Sequence, residues 1–225
     1  MKNIDSQRWD IYHQKTYLED TNNSKYAEER EILFPRNCII VDLGGGTGND
    51  ALYFLRKGHD VIILDISEFA LNTAKERAKK EKLDQKLIVK QVDFGLHAIP
   101  IKPNSVDIAY SRISLNYFGR EDTIRLFKDI YNILKIGGKA YLTFKSSEDL
   151  EEMQYLEKRA SLYEPNVFID NGQLRSRFEE DQLRSMLTEA GIKNYSVSSY
   201  DEILTGNKEN HKNSLPANEV VFTKE

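Results

Sequence analysis

The chain has 225 residues, 40% of them hydrophobic and 30% charged, a composition of ordinary globular proteins and not of disordered chains. Its formal net charge of −4 offers no basic footprint for holding nucleic-acid phosphates. Cys38 is the only cysteine, which excludes an intrachain disulfide framework and a thiolate zinc site, and no metal is expected.

Residues 1–36 are polar and carry Trp9, Tyr12, Tyr17, Tyr26 and Phe34. They read as one or two helices ahead of a domain that occupies 37–225, a segment that the resemblance given below makes a lid. "CIIVDL" (38–43) is a short β-branched run and predicts a buried strand. "NDALYFLRKG" (49–58) has helical period and stops at Gly58. "DVIILDI" (60–66) is a second strand, and "SEFALNTAKERAKKEK" (67–82) a helix capped by Ser67. "KLIVKQVDF" (86–94) and "SVDIAYSRI" (105–113) are strands three and four.

"EDTIRLFKDIYNILKIGG" (121–138) predicts a helix with acids in its first turn and a Gly-Gly stop, followed by strand "KAYLTFK" (139–145). A helix from about 148 to 162 and an irregular piece through 177 come next, and 148–178 is a candidate substrate flap. "EEDQLRSMLTEAG" (179–191) is the last helix. "IKNYSVSSY" and "ANEVVFTKE" are the last two strands, separated by a polar loop over 205–218. The fold class expected is α/β: a seven-stranded, mostly parallel sheet with helices on both faces and the last strand antiparallel.

The motif that carries chemistry is "VDLGGGTGND" (41–50), a glycine-rich turn between the first strand and the first helix of the sheet. Such a turn brings backbone amides and a helix N-terminus close to a ligand. The spacing fits the dinucleotide fingerprint G-x-G-x-x-G badly, because Asn49 stands where the third glycine would be, or Ala51 if counting starts at Gly46. No Gly-Lys-Ser/Thr follows, so a P-loop is excluded. What remains is Asp42-x-Gly44-x-Gly46-x-Gly48.

With that loop, "ILDIS" ending strand two, "VDF" ending strand three and "ILKIGGKAYLTF" further on, the chain resembles the class I, Rossmann-like, S-adenosylmethionine (SAM)-dependent methyltransferases, small-molecule type. The resemblance covers about 38–145 and resumes over 177–223. It implies SAM as cofactor and S-adenosylhomocysteine as product. It places Asp42, Gly44, Gly45, Gly46 and Gly48 in the cofactor loop, Asp65 with Ile66 at the ribose, Asp93 with Phe94 at the adenine, and Ser111 beside the cofactor. Plainer roles stand beside these: Asp65 as a helix cap, Asp93 as a turn residue, Phe94 as core.

Methyl transfer from a sulfonium depends mainly on alignment, and a general base is needed only when the nucleophile arrives protonated. The acceptor site is therefore faint in sequence. Trp9, Tyr12, Tyr17, Arg112, Asn116, Tyr117 and Lys145 are the candidates to line it. His13, Arg112, Asn116 and Tyr117 are those for acceptor chemistry, with His97 a further histidine near the loops. "YSRISLNYF" lacks the proline-containing motif of nucleic-acid amino-methyltransferases, and no cysteine stands there for cytosine chemistry. A small-molecule substrate is expected, with no nucleic acid; a peptide or protein acceptor, an NAD(P) oxidoreductase and a non-catalytic SAM-binding protein are the alternatives. No apolar run nears the ~18 residues of a membrane span, and "MKNIDSQRWD" has no apolar leader. No membrane partner, a cytoplasmic location and a monomer or homodimer are expected.

Overall fold

The computed structural model describes residues 4–16, 21–203 and 214–225. Its centre is a seven-stranded sheet built from β1 (Ile39–Leu43), β2 (Asp60–Asp65), β3 (Leu87–Gln91), β4 (Val106–Ser111), β5 (Leu134–Lys145), β9 (Tyr195–Ile203) and β10 (Ser214–Thr223). The order across the sheet is β3-β2-β1-β4-β5-β10-β9. β10 runs antiparallel to both its neighbours, and every other pair is parallel. The strand order turns back between β1 and β4, so the crevice beyond their C-terminal ends is where an open α/β sheet binds ligands.

Strand periodicity sorts the core into two layers. Ile40, Ile63, Ile108 and Tyr110 face α2 (Lys25–Glu31), α3 (Asn49–Arg56) and α4 (Glu68–Lys80). Val41, Leu43, Ala109 and Leu142 face α5 (Arg120–Ile133) and α7 (Glu180–Glu189). Tyr26 and Ala27 of α2 are fully packed in the first layer. The N-terminal helix α1 (Ile4–Thr16) is different: it docks on the rim of α4 through polar groups. Asp10 accepts from Ser67 Oγ (2.7 Å) and from the Phe69 amide (3.1 Å), and Ser6 Oγ donates to the Ile66 carbonyl (3.1 Å).

Three local expectations need correction. The helix expected over 121–138 ends at Ile133, because the Asn104 and Ser105 amides take the carbonyls of Asn132 and Ile133 and lead the chain into β5. Leu134 is already extended and pairs with Val106. The irregular piece after α6 (Leu150–Arg159) is a three-stranded meander of β6 (Ser161–Glu164), β7 (Val167–Asp170) and β8 (Gln173–Ser176). Its second turn is Asn171-Gly172, both at positive φ (50° and 75°), the pair that a two-residue hairpin turn prefers. The loop expected over 205–218 is strand from Ser214 onward, with Leu215 and Ala217 alternating into the core; residues 204–213 lie outside the described residues. No helix among the described residues is long and apolar enough to cross a membrane.

Candidate active site

A cavity of about 600 Å³ opens at the C-terminal ends of β1, β2 and β4. That is within the ~300–1,000 Å³ usual for small-ligand sites. Asp42, Gly44, Gly45 and Gly46 after β1, Asp65 and Ile66 after β2, and Asp93 and Phe94 after β3 line it. Trp9, Tyr12 and His13 of α1, and Gly172, Gln173 and Leu174 of the β7–β8 hairpin, form the roof. The Arg8 guanidinium donates to the Asn171 carbonyl (2.9 Å), joining the two halves of that roof. Trp9 meets Tyr117 edge-on with ring centroids 5.0 Å apart.

The glycine loop is shaped by its neighbours. At Gly46 (φ +54°) a Cβ would stand 2.9 Å from His13 Cε1, so the roof packs directly on bare backbone there. Gly48 does not line the cavity; it packs against α4, where a Cβ would come 2.9 Å from Ala74 Cβ. The expectation of a cofactor role for Gly48 is replaced by one in helix packing. The loop amides are largely occupied: Gly44 N donates to the Leu64 carbonyl (2.6 Å), Gly46 N to Asp65 Oδ2 (2.9 Å) and Gly48 N to the Gly45 carbonyl (3.0 Å).

Asp65 is buried and accepts one backbone amide on each oxygen, from Gly46 and from Ser67 (2.8 Å). The Ile66 amide also favours its ionised form, and with about four lone-pair sites on a carboxylate some acceptor capacity is left for a hydroxyl donor such as that of a ribose diol. Burial raises the Asp65 carboxyl above its ordinary range, opposed first by the nearby His13. Burial lowers the His13 imidazole, with Asp65 and Asp10 pulling the other way. Asp42 is fully buried at the end of β1, and burial, then Asp50 and Asp65, push its carboxyl well above the usual range.

Asp93 lines the cavity and also accepts the Gly95 amide (2.8 Å), so the turn role and a ligand-facing position coexist. Phe94 lines the cavity from within the core. Ser111 points the other way: its Oγ donates to the Leu43 carbonyl (2.9 Å) and meets Ser114 Oγ at 2.5 Å, and it does not line the cavity. Strand alternation is the reason, since Tyr110 and Arg112, one residue either side, are the ones that do. Asn116 is also buried away from the cavity, where Oδ1 accepts the Lys145 amide (2.7 Å). Arg112, Tyr117 and Lys145 line the cavity; Tyr17 lies outside the described residues; His97 is exposed and does not line it. Asp50 and Tyr110 were missed by sequence reasoning, although Asp50 stands inside the quoted loop motif.

The comparisons with known proteins agree with this geometry. Residues 40–138 match a family model described as a methyltransferase domain. Over that stretch the chain is similar to a methyltransferase domain, and its fold is that of solved SAM-dependent methyltransferases. A SAM-dependent methyltransferase from Methanosarcina mazei has the same fold at a TM-score of 0.70 and 18% identity, with 90% of this chain and 98% of that one covered. O-methyltransferase 3 of Dictyostelium discoideum is 23% identical over 89% of this chain and 46% of its own length. A tRNA N(3)-methylcytidine methyltransferase of Drosophila melanogaster is 25% identical over 74% and 51%. The chain thus spans about half the length of these two curated relatives.

SAM, the cofactor of the methyltransferases this chain is similar to, carries a diol, an adenine and an amino acid head, and the cavity lining offers a group suited to each. Asp65 with acceptor capacity, the aromatic Phe94 beside Asp93, and the acids Asp42 and Asp50 all line it, groups of the kinds that a diol, an adenine and a cation take. Asp65→Ala is expected to weaken S-adenosylhomocysteine binding by about 1–3 kcal/mol, the cost of one charged hydrogen-bond partner. Titration calorimetry checks this, and unchanged affinity would remove Asp65 from the site.

Proposed function

We propose that the protein transfers the methyl group of SAM to a small-molecule acceptor by in-line displacement. SAM supplies an electrophilic methyl on a sulfonium. The chain's own contribution is alignment and exclusion of water, an effect worth up to ~7–11 kcal/mol when the reacting groups are held in line. Trp9, Tyr12, Tyr117 and Phe118 give the cavity an aromatic wall that keeps water out and favours a cation.

The observation that carries the small-molecule reading is the roof. The helix α1 and the β7–β8 hairpin meet through Arg8 and Asn171, and Trp9 closes on Tyr117 beneath them. This favours an acceptor that fits inside the cavity over a polymer laid across it. The net charge of −4 supports the same reading against nucleic acid. The curated relatives include one named for tRNA, so the acceptor class is the part to test. Full-length protein is incubated with methyl-labelled SAM and with separate small-molecule, tRNA and protein fractions of a cell extract. Label in the small-molecule fraction is expected; label confined to tRNA or protein would overturn the acceptor class.

The same reading makes α1 a lid. Because α1 docks through polar contacts while α2 buries Tyr26 and Ala27, removal of residues 1–16 is expected to leave thermal unfolding nearly unchanged. Turnover should fall at least about tenfold, since mispositioning at a closed site costs that or more. A truncation that keeps full turnover would show that α1 is no lid. Truncation beyond Ser24 is a poor test, because it removes core.

A further inference from the structure

Arg112 follows β4 on the sheet face of Tyr110, and two carboxylates hold its guanidinium from behind. Its Nε lies 3.3 Å from Asp50 Oδ2, and its Nη1 donates to Glu202 Oε1 at 3.0 Å. Both partners are themselves fixed. Asp50 accepts from the Ser24 amide (2.6 Å), Ser24 Oγ (2.9 Å) and Tyr110 Oη (2.7 Å). The Glu202 side chain is fully buried in β9 and accepts the Tyr200 hydroxyl. The remaining nitrogen, Nη2, has no partner among the described residues, and Arg112 lines the cavity beside Asp42, Asp50 and the glycine loop.

An ion pair kept only for stability would not leave a donor edge on a ligand cavity. Nor does this end of the cavity match a simple anion, because Asp42 and Asp50 line it as hydrogen-bond acceptors beside Arg112. A guanidinium donor next to acids matches a zwitterion, with the carboxylate on the Arg side and the ammonium on the acid side. The glycine loop has few donors to offer a carboxylate, since the Gly44, Gly46 and Gly48 amides are already spent inside the fold. The Nη2 edge of a planar guanidinium already fixed by Asp50 and Glu202 supplies a charged donor there, held in place at low entropic cost.

We propose that Arg112, clamped between Asp50 and Glu202, is the carboxylate anchor for the α-amino acid head of SAM. The inference rests on the reading of the cavity as a SAM site. It makes Glu202, on the sheet-edge strand β9, a positioning residue for the cofactor. A zwitterionic acceptor would present the same chemistry, and the test separates the two sources.

Titration calorimetry on the full chain compares S-adenosylhomocysteine with its decarboxylated analogue, which keeps the amine. Wild type is expected to prefer the complete molecule by about thirtyfold, the scale of one charge-assisted hydrogen bond. Arg112→Gln should bind both alike, near the wild-type affinity for the analogue. Should that variant fail to fold, with Asp50 and Glu202 left facing each other, Arg112→Lys decides. It keeps the charge, loses the fixed planar donor, and should lose most of the preference. A variant that retains the wild-type preference overturns the proposal and assigns Arg112 to an acceptor or to structure alone. A wild type that binds neither compound sinks the SAM reading itself, a different failure from retained preference.

Discussion

Gly46→Val is expected to abolish S-adenosylhomocysteine binding while leaving the sheet folded. The residue sits at φ +54°, where a left-handed conformation costs an L-residue roughly 1–2 kcal/mol and a β-branched one more. Its Cβ would also stand 2.9 Å from His13 Cε1, so the α1 roof must shift before any ligand enters. The added side chain occupies the approach that a bare backbone leaves open. The expected loss is at least about a hundredfold, or about 2.7 kcal/mol. Calorimetry measures it, with far-ultraviolet circular dichroism confirming the fold. Binding within threefold of wild type would contradict the loop's placement at the ligand.

The second large effect concerns stability. Arg177 is fully buried, and its Nη2 donates to Glu152 Oε1 at 2.6 Å; Lys145, on the cavity wall, donates to the same carboxylate at 3.1 and 3.2 Å. Burial opposes ionisation of Glu152, but Arg177 and then Lys145 outweigh it and hold the carboxyl at about 2, below its ordinary 4.5. Glu152→Gln leaves the Arg177 guanidinium buried without its counter-charge, and breaking a buried pair this way costs about 3–5 kcal/mol.

The pH dependence has a definite sign. A carboxyl lowered in the folded state contributes stability that is present in full above 4.5 and lost as pH falls from there towards about 2. Urea unfolding at pH 7 should therefore show the full gap between wild type and Glu152→Gln, with a smaller gap at pH 3. A gap that stays constant between those two pH values would show that Glu152 is not held ionised by its neighbours.

Much of this site could be read from the sequence because its parts are local. The glycine loop and Asp65 each depend on one strand end and the turn after it, and those turns carry their own glycine and capping residues. The parallel sheet was equally readable, since buried strands such as "VIILD" are continuous apolar runs. What failed to show were contacts far apart in sequence. Arg112 and Glu202 are 90 residues apart, and nothing near Arg112 announces a partner on β9. Ser111 and Asn116 were misplaced for a different reason. At the end of β4 alternation decides which side chains face the crevice and turns Ser111 away, and Asn116 in the following loop is drawn to the Lys145 amide on β5. The β7–β8 hairpin was readable and overlooked: "VFIDNGQL" carries Asn-Gly between two short runs with apolar residues on either side.

The central claim is that the cavity at the glycine loop is a SAM site. Titration calorimetry of the full chain with S-adenosylhomocysteine, and in parallel with NAD, tests it most directly. The account predicts saturable binding of S-adenosylhomocysteine at one site per chain, and no heat of binding from NAD. Binding of NAD without binding of S-adenosylhomocysteine would contradict it.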